Sequence, residues 1–192
     1  MHIAHDPREA DVRGCNVAGL LAGMFAALLA VSAPAQNSIR GWNRALFDTD
    51  AHSKSTASVS AWSDVTLVLR SDGRLFASGR NNLGQSAIPS LPSRTSYVEA
   101  CAGGMCVARR SDGVIVHWGN TAPATPPPAL PPGLGWAQLA AGAAHAMALR
   151  SDGVVLAWGN NLSGQCNVPV LPSGLRYRRI ACGSAHSMAL VS

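Results

Sequence analysis

Charged side chains are scarce in this chain. Asp, Glu, Lys and Arg make up 13% of its 192 residues, against about a quarter in an ordinary soluble domain. The formal charge is +5. Its basic groups are mostly single arginines among turn-like segments, with one cluster at Arg176, Arg178 and Arg179. No basic stripe interleaved with aromatics is present, so no nucleic-acid partner is expected. Helical periodicity is missing too, which argues against an α-helical fold. The sequence also lacks a Gly-x-Ser-x-Gly elbow, a phosphate-binding glycine loop and a paired-carboxylate constellation. It therefore predicts no enzyme: no catalytic, cofactor-binding or metal-binding residue is assigned, and no cofactor.

What the chain has is turns and repetition. With 19 Gly and 12 Pro beside 47% hydrophobic residues, it favours short strands. The fullest phrase lies at 141–169, where the apolar runs 144–149 and 154–158 flank Arg150-Ser151-Asp152-Gly153. Asp-Gly between apolar runs is a strong hairpin signal, because Gly takes positive φ without steric cost. Asp72-Gly73, Asp112-Gly113 and Asp152-Gly153 recur at a step of 40 residues, as do Gly79, Gly119 and Gly159, and Trp118 and Trp158. A fixed period of this length with several short strands per unit is the mark of propeller blades.

The N-terminus differs. No charge occurs between Arg13 and Arg40, and the apolar run 17–31 is followed by Ser32-Ala33-Pro34-Ala35. This pattern predicts a signal peptide over 1–35, cut after Ala35, and hence a secreted or periplasmic protein. The alternative is an uncleaved membrane anchor, for which the run is short against about 20 residues. The propeller repeat domain is then 36–192, with units at about 39–60 (partial), 61–96, 97–135, 136–176 and 177–192 (partial). Residues 48–60 read as a polar loop, 60–70 as one hairpin strand, and the proline-rich 121–132 as an edge or connector. The unit halves missing at the two ends are complementary: Trp42 falls in phase with Trp118 and Trp158, and Ser192 with Ser151. A homodimer that completes the ring is one arrangement this permits.

Each residue that tempts a chemical reading also has a structural one. His145 shares a strand face with Met147 and Leu149, and His186 repeats it, which predicts histidines packed and hydrogen-bonded between blades. Asp72, Asp112 and Asp152 belong to turns, and Trp118 and Trp158 to blade cores. Cys101, Cys106, Cys166 and Cys182 allow three disulfide pairings, with Cys101 to Cys182 disfavoured by their equivalent repeat positions. Their spacing does not suit zinc.

Gly142-x-x-His145-x-x-Ala148-Leu149, Asp152-Gly153, Trp158-Gly159-Asn160 and Gly164-Gln165 resemble the regulator-of-chromosome-condensation repeat family, and 183–190 repeat the first of these motifs. The resemblance covers about 39–192. It departs at Thr66 and Ser78, where other units have Ala146 and Trp158, and at Met105 in the histidine position; the second unit also lacks Gly-Gln. It implies an all-β fold of β-propeller-type blades, each of about four short antiparallel strands. With about four repeats, the propeller is incomplete or completed by oligomerisation. The functional expectation is a non-catalytic exported module that binds an unknown protein target through blade-rim loops. The alternatives are a carbohydrate or cell-wall binder, signalled by Trp62, Trp136 and Tyr177, and a truncated fragment without independent function.

Overall fold

A computed structural model describes residues 55–121 and 125–192. The expected signal peptide, the partial unit before residue 55 and residues 122–124 of the proline-rich stretch lie outside the described residues. Eleven strands follow in order: β1 (Thr56–Trp62), β2 (Val65–Arg70), β3 (Leu75–Gly79), β4 (Tyr97–Cys101), β5 (Met105–Arg110), β6 (Ile115–Gly119), β7 (Trp136–Ala141), β8 (His145–Arg150), β9 (Val155–Gly159), β10 (Tyr177–Cys182) and β11 (Ser187–Val191). They form antiparallel meanders β1-β2-β3, β4-β5-β6 and β7-β8-β9, and a final pair β10-β11. The architecture is an incomplete all-β propeller. No helix among the described residues is long and apolar enough to cross a membrane.

Three sequence readings need correction. Among the described residues each full sheet has three strands, not about four; the Pro-containing pieces around 87–92 and 167–171 join no ladder, since proline has no N–H to give it. Residues 60–70 are not one strand: the chain turns at Ser63 (φ 49°) and Asp64 between β1 and β2. Residues 56–60 of the expected polar loop are strand, because alternating small side chains on a half-buried face suit a pleated strand as well as a loop.

The Asp-Gly turns form as their chemistry dictates. Gly73, Gly113 and Gly153 have φ of 78°, 83° and 85°. Asp112 Oδ1 accepts from the Val114 N–H at 3.2 Å, and Asp152 Oδ1 from the Val154 N–H at 3.3 Å. The guanidiniums of Arg110 and Arg150 pair with these carboxylates and hold Asp112 and Asp152 below the usual carboxylate range.

Alternation along the central strand of each sheet makes two unlike faces. The forward face carries Val65, Leu67 and Leu69 in the first sheet, Met105 and Val107 in the second, and Met147 and Leu149 in the third. These pack on the smaller backward face of the next sheet: Cys106 and Ala108, Ala146 and Ala148, then Ile180 and Tyr177. Leu67, Met105 and Leu139 are fully enclosed, and each such side chain contributes about 1.5–3 kcal/mol. Trp118 and Trp158 are buried between sheets; Trp118 Nε1 donates to the Gln85 carbonyl at 2.7 Å, and Trp158 Nε1 to His117 Nδ1 at 3.3 Å.

A recurring bulge adds a polar tie. The first strand of every sheet shifts register after its first residue, between Thr56 and Ser58, Tyr97 and Glu99, Trp136 and Gln138, and Tyr177 and Arg179. In the two middle sheets the side chain after the bulge reaches the next sheet. Glu99 Oε1 accepts from the Leu139 N–H at 2.8 Å. Gln138 accepts from the Ile180 N–H and donates to its carbonyl, both at 2.9 Å.

Candidate interaction site

The connections from the last strand of one sheet to the first of the next share one rim by repeat symmetry. In the first and third units they are braced from inside. Gln85 Oε1 accepts from the Leu83 N–H at 3.0 Å, and Gln165 Oε1 from the Ser163 N–H at 2.8 Å. Asn81 and Asn161 accept from the N–H groups of Ser86 and Cys166, both at 2.8 Å. Tyr97 and Tyr177 donate their hydroxyls to the Pro89 and Pro169 carbonyls at 2.6 and 2.7 Å, which pins the Pro-containing segment to the next sheet. Both glutamines are buried, so Gly-Gln builds the loop instead of presenting a ligand group.

What this scaffold presents is apolar. Leu162 is 93% exposed and Val170 98%, with Leu83 half exposed on the equivalent loop. Isolated exposed apolar residues are ordinary, but these stand on loops whose backbones are fixed by side-chain hydrogen bonds. Among the described residues the second unit shows no such brace; there Thr125 Oγ1 accepts from the Gly159 N–H at 2.8 Å, and Trp136 Nε1 turns to the Gly113 carbonyl at 3.0 Å.

The residues singled out by sequence do not converge on one centre. His145 is fully buried and lies 3.1 Å through Nε2 from Ser187 Oγ, across the junction of the third and fourth sheets. Ser187 donates its one proton to the Gln165 carbonyl at 2.7 Å, so His145 Nε2 is the donor to Ser187. Burial, helped by the charge of His186, lowers the His145 pKa, with a backbone hydrogen bond to His186 acting the other way. His186 lies against Gly183 as His145 does against Gly142, but it is exposed. Cys106, Cys166 and Cys182 are free, so none of the three pairings of these four cysteines forms. Burial pushes the thiols of Cys106 and Cys182 up to about 11 and about 12. No three His, Cys, Asp or Glu side chains among the described residues could share a metal ion. Trp136 and Tyr177 are buried and Trp62 is partly buried, so the aromatics that motivated a carbohydrate reading are engaged in the core. Sequence reasoning missed Glu99 and Gln138; the available signal was a Glu or Gln two residues after Tyr97 and Trp136.

Residues 136–165 match the family model of the Regulator of chromosome condensation (RCC1) repeat. Within the third unit these residues are therefore similar to an RCC1 repeat. The neighbouring sheets copy its turns and packing, and solved RCC1-type structures share the fold. Yeast (Saccharomyces cerevisiae) Prp20p, described with binding properties to Gsp1p and histones, aligns at 23% identity with a TM-score of 0.55, covering 70% of this chain and 42% of that one. Human WBSCR16 aligns at 19% identity with a TM-score of 0.62, covering 74% and 46%. The CRINKLY ectodomain of the Arabidopsis thaliana receptor kinase ACR4 aligns at 22% identity with a TM-score of 0.51, covering 73% and 47%. The chain thus spans less than half the length of these structural relatives. No curated protein matches the chain in sequence.

Proposed function

We propose that this chain is a non-catalytic protein-interaction module that binds through its rim loops. The observation that carries the reading is the pair Leu162 and Val170, held out into solvent on a loop braced by Gln165, Asn161 and Tyr177. Apolar side chains on a pre-ordered loop lose little entropy when a partner covers them, and repeat arrays commonly use their loop rims for binding. The binding of Gsp1p and histones by Prp20p supports a protein partner for this fold. Export is part of the same reading and rests on the apolar run 17–31 and the Ala33-Pro34-Ala35 boundary; N-terminal sequencing of the mature protein should begin at Gln36.

The test is retention of proteins from the medium and envelope of the producing cell on immobilised chain. The wild type should hold a defined protein that Leu162→Glu/Val170→Glu loses. Equal retention by both, or none by the wild type, sinks the rim-loop reading. Retention on immobilised polysaccharide instead would favour a carbohydrate ligand.

A further inference from the structure

The Asp-Gly turns all lie at one end of the sheets, where β1, β4, β7 and β10 begin. Charge is divided unequally between this end and the other. The described residues hold ten arginines, no lysine and five Asp or Glu. The far end carries one of each, Arg80 and Asp64, 3.7 Å apart. The Asp-Gly end carries nine arginines against four acids, and with them the whole surplus of positive charge. Asp112, Asp152 and Glu99 are taken by Arg110, Arg150 and Arg109, and Asp72 lies within 4.0 Å of both Arg70 and Arg74. Arg94 and Arg176 pair with none of them. Repeat symmetry does not account for these cations. The residue after each Asp-Gly is Arg74, Val114 or Val154. In the connections entering β4, β7 and β10 the left-handed residue is Arg94 (φ 63°), Gly133 (φ 79°) or Gly174 (φ 89°). That conformation strains an arginine and costs a glycine almost nothing. Arg94 therefore does nothing for the turn that glycine would not do better.

We propose that the Asp-Gly end is a second interaction surface, whose occupant is an acidic protein segment that sets carboxylates beside apolar side chains. Arg74 has a side chain 73% exposed, and Arg94 and Arg176 are exposed too. The Arg176 stem lies across the third turn, 2.8–3.3 Å from where a Cβ on Gly153 would stand, so its guanidinium is held over the rim. Between the arginines stand Val114, Val154 and Leu175, 46%, 41% and 44% exposed. A guanidinium fork matches a carboxylate with two parallel hydrogen bonds, which an ammonium cannot do. The apolar residues decide between classes of polyanion. A phosphate backbone would leave them uncovered, whereas an acidic peptide with apolar side chains covers both kinds of group. Stacking of bases is not on offer either: Tyr97, Trp136 and Tyr177 are buried at this end, and the Arg70 guanidinium lies 5.5 Å over the Phe76 ring. With the surplus charge at one end, the field also orients an approaching acidic partner toward this rim. The surface does not draw on Leu162, which follows the far end of β9.

The test selects random dodecapeptides displayed on phage against the immobilised full chain at low ionic strength. Binders should carry Asp or Glu beside Leu, Ile or Val. The best of them, made as a free peptide, should bind Arg74→Gln/Arg94→Gly/Arg176→Gln about tenfold or more weakly than the wild type. Arg80→Gln and Leu162→Glu, which change charge at the far end, should bind it as the wild type does. Binders without an acidic excess, equal affinity for the triple variant, or an equal loss in Arg80→Gln overturns the proposal. Tighter binding of a short DNA duplex than of the peptide would assign the arginines to phosphate and overturn it as well. Arg94→Gly alone separates binding from folding. It should weaken the peptide while leaving the thermal transition unchanged or raised; a lowered transition would make Arg94 a residue of the fold and overturn its place in the surface.

Discussion

The His145 imidazole donates through Nε2 to Ser187 Oγ at 3.1 Å, and that hydroxyl passes its proton on to the Gln165 carbonyl at 2.7 Å. One relay therefore ties the third sheet, the fourth sheet and the braced rim loop. Its pH dependence has a definite sign. Burial lowers the His145 pKa below its ordinary 6.5, so the unfolded chain binds more protons in that range. The contribution to stability is complete above about 6.5 and is lost as pH falls towards the depressed folded value. Thermal melts should show the transition temperature falling from pH 7.5 to pH 5. His145→Gln should flatten the slope in part, since burial also lowers the pKa of His117; an unaltered slope would rule out His145 as a source.

Glu99 should matter beyond its charge. It accepts from the Leu139 N–H at 2.8 Å and from Arg109 Nε at 3.1 Å, so Glu99→Ala removes a side-chain acceptor from a buried backbone donor. A loss of about 1–3 kcal/mol follows, while Glu99→Gln keeps an acceptor and should recover much of it. Denaturant midpoints of the two variants compare them directly. Equal losses would show that the ion pair, not the clamp, sets the cost.

Two glycines with similar φ separate strain from collision. Gly159 has φ 100°, and a Cβ there would lie 2.5 Å from the Ala144 carbonyl oxygen; Gly174 has φ 89° and open space around it. Gly174→Ala should cost about 1–2 kcal/mol, the left-handed penalty alone. Gly159→Ala should cost clearly more, because backbone must move. Equal destabilisation would mean that φ governs both sites.

The thiols of Cys106 and Cys182 should be inert. With Cys106 held at about 11 and Cys182 at about 12 by burial, few thiolates are present at pH 8. Iodoacetamide should leave both unmodified in the native protein and label them in denaturant, as read by mass spectrometry. Rapid native labelling of Cys106 would contradict its enclosed position.

The mass in solution tests how the unpaired sheet faces are used. If two copies complete one ring, light scattering on the full chain should give about twice 19.8 kDa. The mass of a single chain would exclude that assembly and leave the rim-loop reading untouched.

The repeat register was legible in the sequence because its markers are local. Asp152-Gly153 needs a particular turn and Gly159 a particular φ, so a 40-residue step in such residues reports strand spacing directly. His145 between blades and Trp158 in the core followed from strand alternation. The strand 56–60 did not, because Thr56, Ser58 and Ser60 look like a loop until Ser60 Oγ is seen accepting from the Ala102 N–H at 2.9 Å in the next sheet. Nor was the exposure of Leu162 and Val170 foreseeable. Sequence shows an apolar residue in a loop, and whether it folds inward depends on the bracing by Gln165 and Asn161.

The Glu99 and Gln138 ties give the array a direction. Each is held by one sheet and grips the next, and at the same position in the fourth sheet stands Arg179, which has no acceptor with which to take a backbone N–H. Such an assembly behaves as a short one-dimensional lattice with unequal couplings between neighbours. Cooperativity then depends on where a bond is cut. Weakening Glu99 divides the described sheets two and two, whereas weakening Gln138 detaches the two-stranded fourth sheet from a body of three, so it should melt as a separate, earlier transition.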